Sequence, residues 1–160
     1  MINLKIVERI QAKPCAVAHI KGGTEDSQVY GTVCFYSWAN GTIIKLEVMG
    51  LPQSEKNNFW GFHIHENGNC DEGDLEDPFK NAGEHFTMED ELHPNHTGDL
   101  PMIYSNNGYS FMIYYSDRFK PDDVIGKSVI IHKNFDDITT QPSGNSGKRI
   151  ACGVIVKEIK

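Results

Sequence analysis

Long apolar runs and an excess of positive charge are both missing from this sequence. No stretch approaches the roughly 20 consecutive apolar residues that a membrane-spanning helix requires, so we predict no span. The chain carries 15 Lys and Arg against 22 Asp and Glu, which gives a net charge of −7. A negative protein is a poor partner for nucleic acid or for an anionic membrane surface, and we predict neither partner.

Closely spaced cysteine pairs are also missing. The four cysteines, Cys15, Cys34, Cys70 and Cys152, include no Cys-x-x-Cys pair, which disfavours a zinc ribbon or a thioredoxin-type redox site. Residues 1–12 are mixed and charged, without the basic start and apolar stretch of a secretory signal. These features predict a cytoplasmic protein with reduced thiols. A periplasmic or extracellular protein is the expectation if a leader has been removed.

Helical periodicity is weak, and the chain instead shows short apolar segments separated by turn residues. Ile44, Leu46 and Val48 alternate with charged residues soon after Asn40-Gly41, which predicts a hairpin. Strands are predicted at residues 16–21, 29–39, 42–49, 59–65, 101–105, 109–116, 128–132 and 151–159. This pattern predicts an all-β fold, an eight-stranded Greek-key barrel or sandwich, in a single domain spanning residues 1–160.

Two long polar segments interrupt these strands, at residues 66–100 and 133–148. The first is rich in Gly, Asn, Asp, Glu, Pro and His and shows little sign of regular structure. Loops of such length are uncommon in a compact domain unless they serve a function. We therefore predict two long functional loops.

Six of the seven histidines, together with one aspartate, form a pattern that metal binding explains best. His63 and His65 are two residues apart on a predicted strand, so their imidazoles point to the same side. One such pair is weak evidence, but six histidines are seldom all core residues. His19, on the first strand, is interpreted as structural. The candidate ligands are His63, His65, His85, His93, His96, Asp99 and His132.

The number of candidate ligands limits how they are shared. Two four-coordinate sites need eight ligand positions, and seven residues are available. Either one histidine serves both sites or one site is open. Three imidazoles with one carboxylate suit a closed tetrahedral zinc site, and the remaining imidazole-rich site suits copper.

With these residues identified, the sequence closely resembles the copper–zinc superoxide dismutase family. The resemblance runs from about residue 16 to the C-terminus. The stretch from Cys70 to His85 is longer than in the animal enzymes and is similar to the bacterial branch. The matching segments are residues 61–66 (GFHIHE), 82–86 (AGEHF), 96–101 (HTGDLP), 125–132 (IGKSVIIH) and 144–155 (GNSGKRIACGVI).

The resemblance implies how the ligands divide between one copper and one zinc ion per chain. His85 would bridge the two ions through its two ring nitrogens. Asp136 matches a carboxylate that joins His63 and His93 through the nitrogens that do not bind metal. By position, the copper ligands are His63, His65, His85 and His132, and the zinc ligands are His85, His93, His96 and Asp99.

The resemblance also assigns roles to an arginine and to two of the cysteines. Arg149 matches the family's active-site arginine, which draws in and orients a small anion beside the copper. Cys70 and Cys152 match an intrasubunit disulfide that would tie the first loop to the last strand. The lysines that could add to the positive field at the copper are Lys80, Lys133 and Lys148.

The activity that the resemblance implies is disproportionation of superoxide to dioxygen and hydrogen peroxide by a Cu(II)/Cu(I) cycle. The alternative is a copper-handling protein of the same fold without significant catalysis. Members of that kind tend to lack a copper ligand or the arginine, and here neither is missing. A zinc-only structural domain and a zinc hydrolase with Glu66 as its base are weaker alternatives.

The aromatic residues leave the state of assembly open. A homodimer is possible. Four aromatic side chains could form an interface or belong to the core, and we predict the core for all of them. They are Trp38, Tyr104, Phe111 and Tyr114.

Overall fold

Nine strands and two short helices are found in residues 4–53 and 58–159, the part of the chain that the computed structural model describes. The helices are α1 (Leu4–Gln11) and α2 (Pro121–Val124). The strands are β1 (Ala16–Gly22), β2 (Tyr30–Trp38), β3 (Gly41–Met49), β4 (Phe59–Trp60), β5 (Phe62–His65), β6 (Ile103–Tyr104), β7 (Ser110–Ser116), β8 (Ser128–His132) and β9 (Arg149–Lys157). Two 3-10 turns, Thr24–Asp26 and Lys80–Ala82, lie in loops.

Seven of the strands form one antiparallel sheet in the order β5-β8-β9-β1-β2-β3-β7, and β4 pairs with β6 separately. The last strand, β9, lies beside the first, and β7 lies beside β3, so the connections cross between non-consecutive strands. This is the arrangement of a Greek key. The sheet curls around one apolar core, which confirms the all-β prediction.

Alternation along β3 decides which side chains enter that core. Ile44, Leu46 and Val48 are fully buried, whereas Glu47 between them is exposed. Successive side chains of a strand point to opposite faces, so every second residue reaches the interior. The predicted alternation of this hairpin strand is therefore confirmed.

The turn of that hairpin falls one residue earlier than predicted. Gly41 pairs with Trp38 as the first residue of β3, so the tight turn is Ala39-Asn40. A Cβ atom on Gly41 would lie 2.2 Å from the carbonyl oxygen of Ser116 on β7. The glycine is therefore required by a close approach of two strands and not by the turn itself.

The segment predicted as one strand at residues 59–65 is divided at Gly61, which raises the number of strands from eight to nine. Before Gly61 the chain pairs with β6, and after it the chain pairs with β8. Gly61 donates its N–H to the carbonyl of Asn134 and accepts from the N–H of His132. Gly61 is thus the point at which the chain changes partners, and a single periodic pattern conceals that change.

The sequence pattern predicts neither α1 nor α2. Arg9 holds α1 against the sheet, because its Nε donates to the carbonyl of Ser37 at 3.0 Å and its guanidinium lies 5.7 Å from the centre of the Tyr36 ring. The half-buried apolar residues of α1 are Ile6, Val7 and Ile10. Eight residues give too short a window for a clear helical period. No helix of the described residues is long and apolar enough to cross a membrane.

Two of the four aromatics predicted to be core residues lie on the surface instead. Phe111 is 51% exposed because it lies on the face of β7 that points away from the core, and Tyr104 is 45% exposed. Trp38 and Tyr114 are half-buried, and Tyr114 packs against the core. The core prediction is wrong for Phe111 and Tyr104, because strand alternation and not hydrophobicity decides which aromatic is buried.

Candidate metal centre

Two strands and the first long loop bring the predicted ligands together. His63 and His65 lie on β5, and His132 ends the neighbouring strand β8. The loop folds back along β5, where His85 forms an isolated bridge with His65, and Asp99 forms one with His63. These bridges explain how a loop with little regular structure delivers its ligands to the strand.

Four imidazoles form what we call the first cluster. Each offers a ring nitrogen, and these nitrogens lie within 4.8 Å of one another. The Nε2 atoms of His65 and His132 are 3.3 Å apart. All four residues are buried, so the cluster is shielded from water. Its members are His63, His65, His85 and His132.

The second cluster combines three imidazoles with a carboxylate. Asp99 Oδ1 lies 2.7 Å from Nδ1 of His85, and Oδ2 lies 3.1 Å from Nδ1 of both His93 and His96. These four residues again place their ligand atoms within 4.8 Å of one another. His85 belongs to both clusters, which matches the first of the two possibilities that the ligand count leaves open.

A buried carboxylate connects the two clusters from behind. Asp136 Oδ2 lies 2.7 Å from Nε2 of His63, and Asp136 Oδ1 lies 2.9 Å from Nε2 of His93. Asp136 also accepts the N–H of Ile138 at 2.7 Å. Each imidazole is thereby held with Nδ1 turned towards its cluster. This is the contact that the family resemblance implies for Asp136.

Four buried ring nitrogens make no hydrogen bond of acceptable geometry among the described residues, although two of them, on His93 and His96, lie 3.1 Å from Asp99 Oδ2. A buried polar atom left unpaired costs about 1–3 kcal/mol, so such atoms usually have a partner. All four belong to the two clusters, where a metal ion would satisfy them. Imidazoles and a carboxylate are ligands of zinc, and imidazoles are ligands of copper. The atoms are His63 Nδ1, His85 Nε2, His93 Nδ1 and His96 Nδ1.

Burial lowers the basicity of three imidazoles of the first cluster. Desolvation outweighs the hydrogen bond to Asp136 and lowers the pKa of His63 to about 4. Desolvation and neighbouring imidazoles lower the pKa values of His65 and His132 well below the usual range. For Asp99, burial acts to raise the pKa, but the contacts with His85 and nearby imidazoles outweigh it and lower the pKa to about 2. Neutral imidazoles beside an ionised carboxylate are the forms that bind metal.

These shifts predict that the metal-free protein loses stability as the pH falls. The unfolded chain binds protons on its histidines near pH 6.5, whereas His63 in the fold does so only near pH 4. Protons therefore favour the unfolded chain between these values, and the carboxylates with lowered pKa values extend the loss to lower pH. We expect the free energy of unfolding in urea to fall by more than about 1 kcal/mol from pH 7 to pH 5.

The control for this measurement is the exposed His19, which lies outside both clusters. His19→Gln should leave the pH dependence of unfolding unchanged. A metal-free protein that becomes more stable on acidification would contradict the burial of neutral imidazoles.

Arg149 begins β9, where it pairs with His132 beyond a bulge at Ile150 of β9. Its Nη1 donates to the carbonyl of Phe79 at 2.7 Å, and its Nη2 donates to the carbonyl of Gly83 at 2.8 Å. The same Gly83 oxygen lies 2.9 Å from Nδ1 of His65. One carbonyl therefore holds both the guanidinium and an imidazole of the first cluster, which places the positive charge beside that cluster.

The disulfide Cys70–Cys152 is present and ties the first loop to β9, as the family resemblance implies. Around it, Phe79, Ala82 and Ile130 form a small apolar cluster of buried residues, separate from the main core. The carbonyl that holds Arg149 Nη1 belongs to Phe79 of this cluster. The free thiols are the half-buried Cys15 and Cys34.

Sequence patterns gave no indication of several residues that shape this centre. Gly83 has φ +81°, and a Cβ there would lie 2.8 Å from atoms of Glu66 and Asn67. Gly144 has φ +64°, and a Cβ there would lie 1.9 Å from Asp136 Oδ1. Both glycines lie in segments that carry the family resemblance, which is the signal that would have identified them.

Comparison with known proteins identifies similar chains. The family model for copper/zinc superoxide dismutase matches residues 29–155. A Cu–Zn superoxide dismutase of Deinococcus radiodurans is 39% identical over 147 residues, covering 81% of this chain and 79% of its own. One of Caulobacter vibrioides is 35% identical over 157 residues, covering 88% and 84%. One of Aquifex aeolicus is 32% identical over 153 residues, covering 86% and 85%.

Proposed function

The chain belongs to the copper/zinc superoxide dismutase family, and from this premise we propose that its first cluster binds copper and its second cluster binds zinc. Each cluster offers four ligands, which suits one ion apiece. His85 is shared by the two clusters, and this is the observation that carries the proposal. A site for a single ion would not need an imidazole that faces two sets of ligands, so the shared ring indicates two ions.

The protein is a superoxide dismutase, an oxidoreductase that acts on superoxide. Copper, when bound, supplies the Cu(II)/Cu(I) couple that converts two superoxide anions and two protons into dioxygen and hydrogen peroxide. The chain itself must hold the ions, orient the anion and deliver protons. The zinc set, with three imidazoles and a carboxylate, leaves no ligand position open for hydrolysis.

We assign the transfer of a proton to Nε2 of His85. This atom is buried and has no hydrogen-bond partner among the described residues, while Nδ1 of the same ring is fixed against Asp99. A ring held at one nitrogen can accept and return a proton at the other without reorienting. Proton transfer at a positioned imidazole is the ordinary form of general acid–base catalysis.

Arg149 is proposed to attract and orient the superoxide anion. The protein has a net charge of −7, so an anion needs a local positive field to reach the centre. Of the lysines considered for that field, Lys80 pairs with Asp77 and Lys148 pairs with Glu25. These pairs offset part of the charge of the two lysines, and Lys133 is exposed next to His132. Arg149 shares the carbonyl of Gly83 with His65, so the guanidinium is the cation held directly beside the first cluster.

Replacing Arg149 is expected to slow the reaction without loss of metal. Arg149→Ile removes the charge, and we expect the rate per bound copper to fall by about tenfold, at the lower end of the range for electrostatic steering. Arg149→Lys restores the charge but not the two directed hydrogen bonds, so its rate should be intermediate. Rates measured at several salt concentrations would check this, because the dependence on ionic strength should weaken in Arg149→Ile. Unchanged turnover in that variant would remove the assigned role.

The proposed function is tested by the rate of superoxide dismutation per bound copper. The protein would be loaded with one copper and one zinc per chain, and the metal content would be measured on the same sample. A rate near the diffusional ceiling, about 10⁸–10⁹ M⁻¹s⁻¹, is expected. A negligible rate with both ions bound would favour copper handling instead. The homodimer and the cytoplasmic location stay predictions.

A further inference from the structure

Three of the four zinc ligands lie in the segment from His93 to Asp99, which has almost no regular structure. Apart from the contacts among its ligand atoms, its internal hydrogen bonds are few: the N–H of Asp99 donates to the carbonyl of His96, and the N–H of His96 donates to Asp99 Oδ2. Seven residues with so few internal bonds do not set their own geometry. Gly98 is held by backbone hydrogen bonds with Phe86 and Ile64, and the residues from His93 to His96 must be held by other neighbours.

Gln141, in the second long loop, contacts the backbone of His93 at two points. Its Nε2 donates to the carbonyl of His93 at 2.6 Å, and its Oε1 accepts the N–H of His93 at 3.2 Å. A side-chain amide thus pairs with both polar groups of one ligand residue. With Asp136 on the ring of the same histidine, the second loop fixes His93 by backbone and side chain together.

Arg118, which follows β7, contacts other carbonyls of the same segment. Its Nη1 lies 3.0 Å from the oxygen of Pro94 and 2.9 Å from that of His96, with the oxygen of Asp99 at 3.4 Å. Hydrogen bonds from a charged donor are stronger than neutral ones. Arg118 is itself exposed, as is Gln141, so neither side chain contributes much to the core.

We propose that Gln141 and Arg118 are positioning residues that hold the segment from His93 to Asp99 in its zinc-binding geometry. The inference rests on the proposed assignment of the second cluster to zinc. Neither residue offers a ligand atom to the cluster, so each acts through the backbone of the residues that do. Zinc is retained because the ligands stay converged when one of them dissociates.

The variants follow from these contacts. Gln141→Met keeps the length of the side chain and removes both hydrogen bonds. Gln141→Glu keeps the acceptor for the N–H of His93 but brings a carboxylate oxygen towards the carbonyl of His93. The two oxygens repel each other, so this variant should not restore the wild-type position of His93. Arg118→Met removes the donor, and Arg118→Lys keeps a charge that reaches fewer carbonyls. The matched control is Gln28→Met, an exposed glutamine on the loop between β1 and β2.

The measurement is the rate at which zinc and copper leave the fully loaded protein in excess chelator, each ion being detected separately. We expect zinc release to be about tenfold faster in Gln141→Met and in Arg118→Met, from the loss of two or three hydrogen bonds. Gln141→Glu should be as fast as Gln141→Met, and Arg118→Lys should be intermediate. Copper release and the visible Cu(II) spectrum should stay at the wild-type values.

A merely structural role would speed the release of both ions alike, and that result would overturn the proposal. Wild-type zinc release in Gln141→Met and Arg118→Met would overturn it as well. Failure of the underlying assignment would show differently, because the wild-type protein itself would then retain no zinc. Gln28→Met should match the wild type throughout.

Discussion

Replacing His85 by alanine is expected to slow dismutation severely and to weaken the binding of both ions. The two nitrogens of this imidazole serve different clusters, with Nδ1 against Asp99 and Nε2 free on the other side. Removing any other ligand leaves one complete set of four, whereas removing His85 leaves two sets of three. We expect the rate per chain to fall on the order of a thousandfold, equivalent to about 4 kcal/mol in the activation free energy.

Two other histidines provide the controls. His96→Ala removes a ligand from the second cluster alone, so zinc should be lost while copper stays bound. His19→Ala removes an exposed histidine that belongs to neither cluster, and activity and metal content should be unchanged. The test is metal content and dismutation rate measured on the same preparations. If His85→Ala kept one copper and one zinc per chain with a rate within tenfold of the wild type, the shared role would be wrong.

The sharing by His85 shows how far sequence reasoning can reach at such a centre. Strand periodicity placed His63 and His65 on one face, and seven ligands for eight positions required one shared residue or one open site. The spacing of the histidines does not show which of them is shared. That depends on the β-bridge between His85, in the loop, and His65, on a strand. The choice came from resemblance to a family, and the contacts agree with it.

Residues that act through tertiary contacts cannot be identified from periodicity or spacing in the sequence. Gln141 is one polar residue among many in its loop, and its importance depends on which backbone lies 2.6 Å away. Gly61 sits inside a regular strand pattern, yet the chain changes partners there. Phe111 is apolar but lies on the outer face of β7. In each case the deciding information is the identity of a neighbour distant in the chain.

Loss of the disulfide is expected to give the largest change in stability. Cys70 and Cys152 are 82 residues apart, and closing a loop of that length removes enough entropy from the unfolded chain to contribute about 4 kcal/mol. The Cys70→Ser/Cys152→Ser double variant should therefore unfold at a much lower urea concentration in its metal-free form. The matched control is Cys15→Ser/Cys34→Ser, which changes the two free thiols and should shift the free energy of unfolding by less than about 1 kcal/mol.

The same double variant should also lose activity per bound copper, for a separate reason. The disulfide anchors the small apolar cluster containing Phe79, whose carbonyl holds Nη1 of Arg149. If that turn loosens, the guanidinium loses an acceptor, and the rate should move towards that of Arg149→Ile while copper remains bound. Adding Arg149→Ile to the double variant should then lower the rate little further, because residues acting in one unit are not additive. A fully additive loss would show that the disulfide stabilises the fold without positioning the arginine.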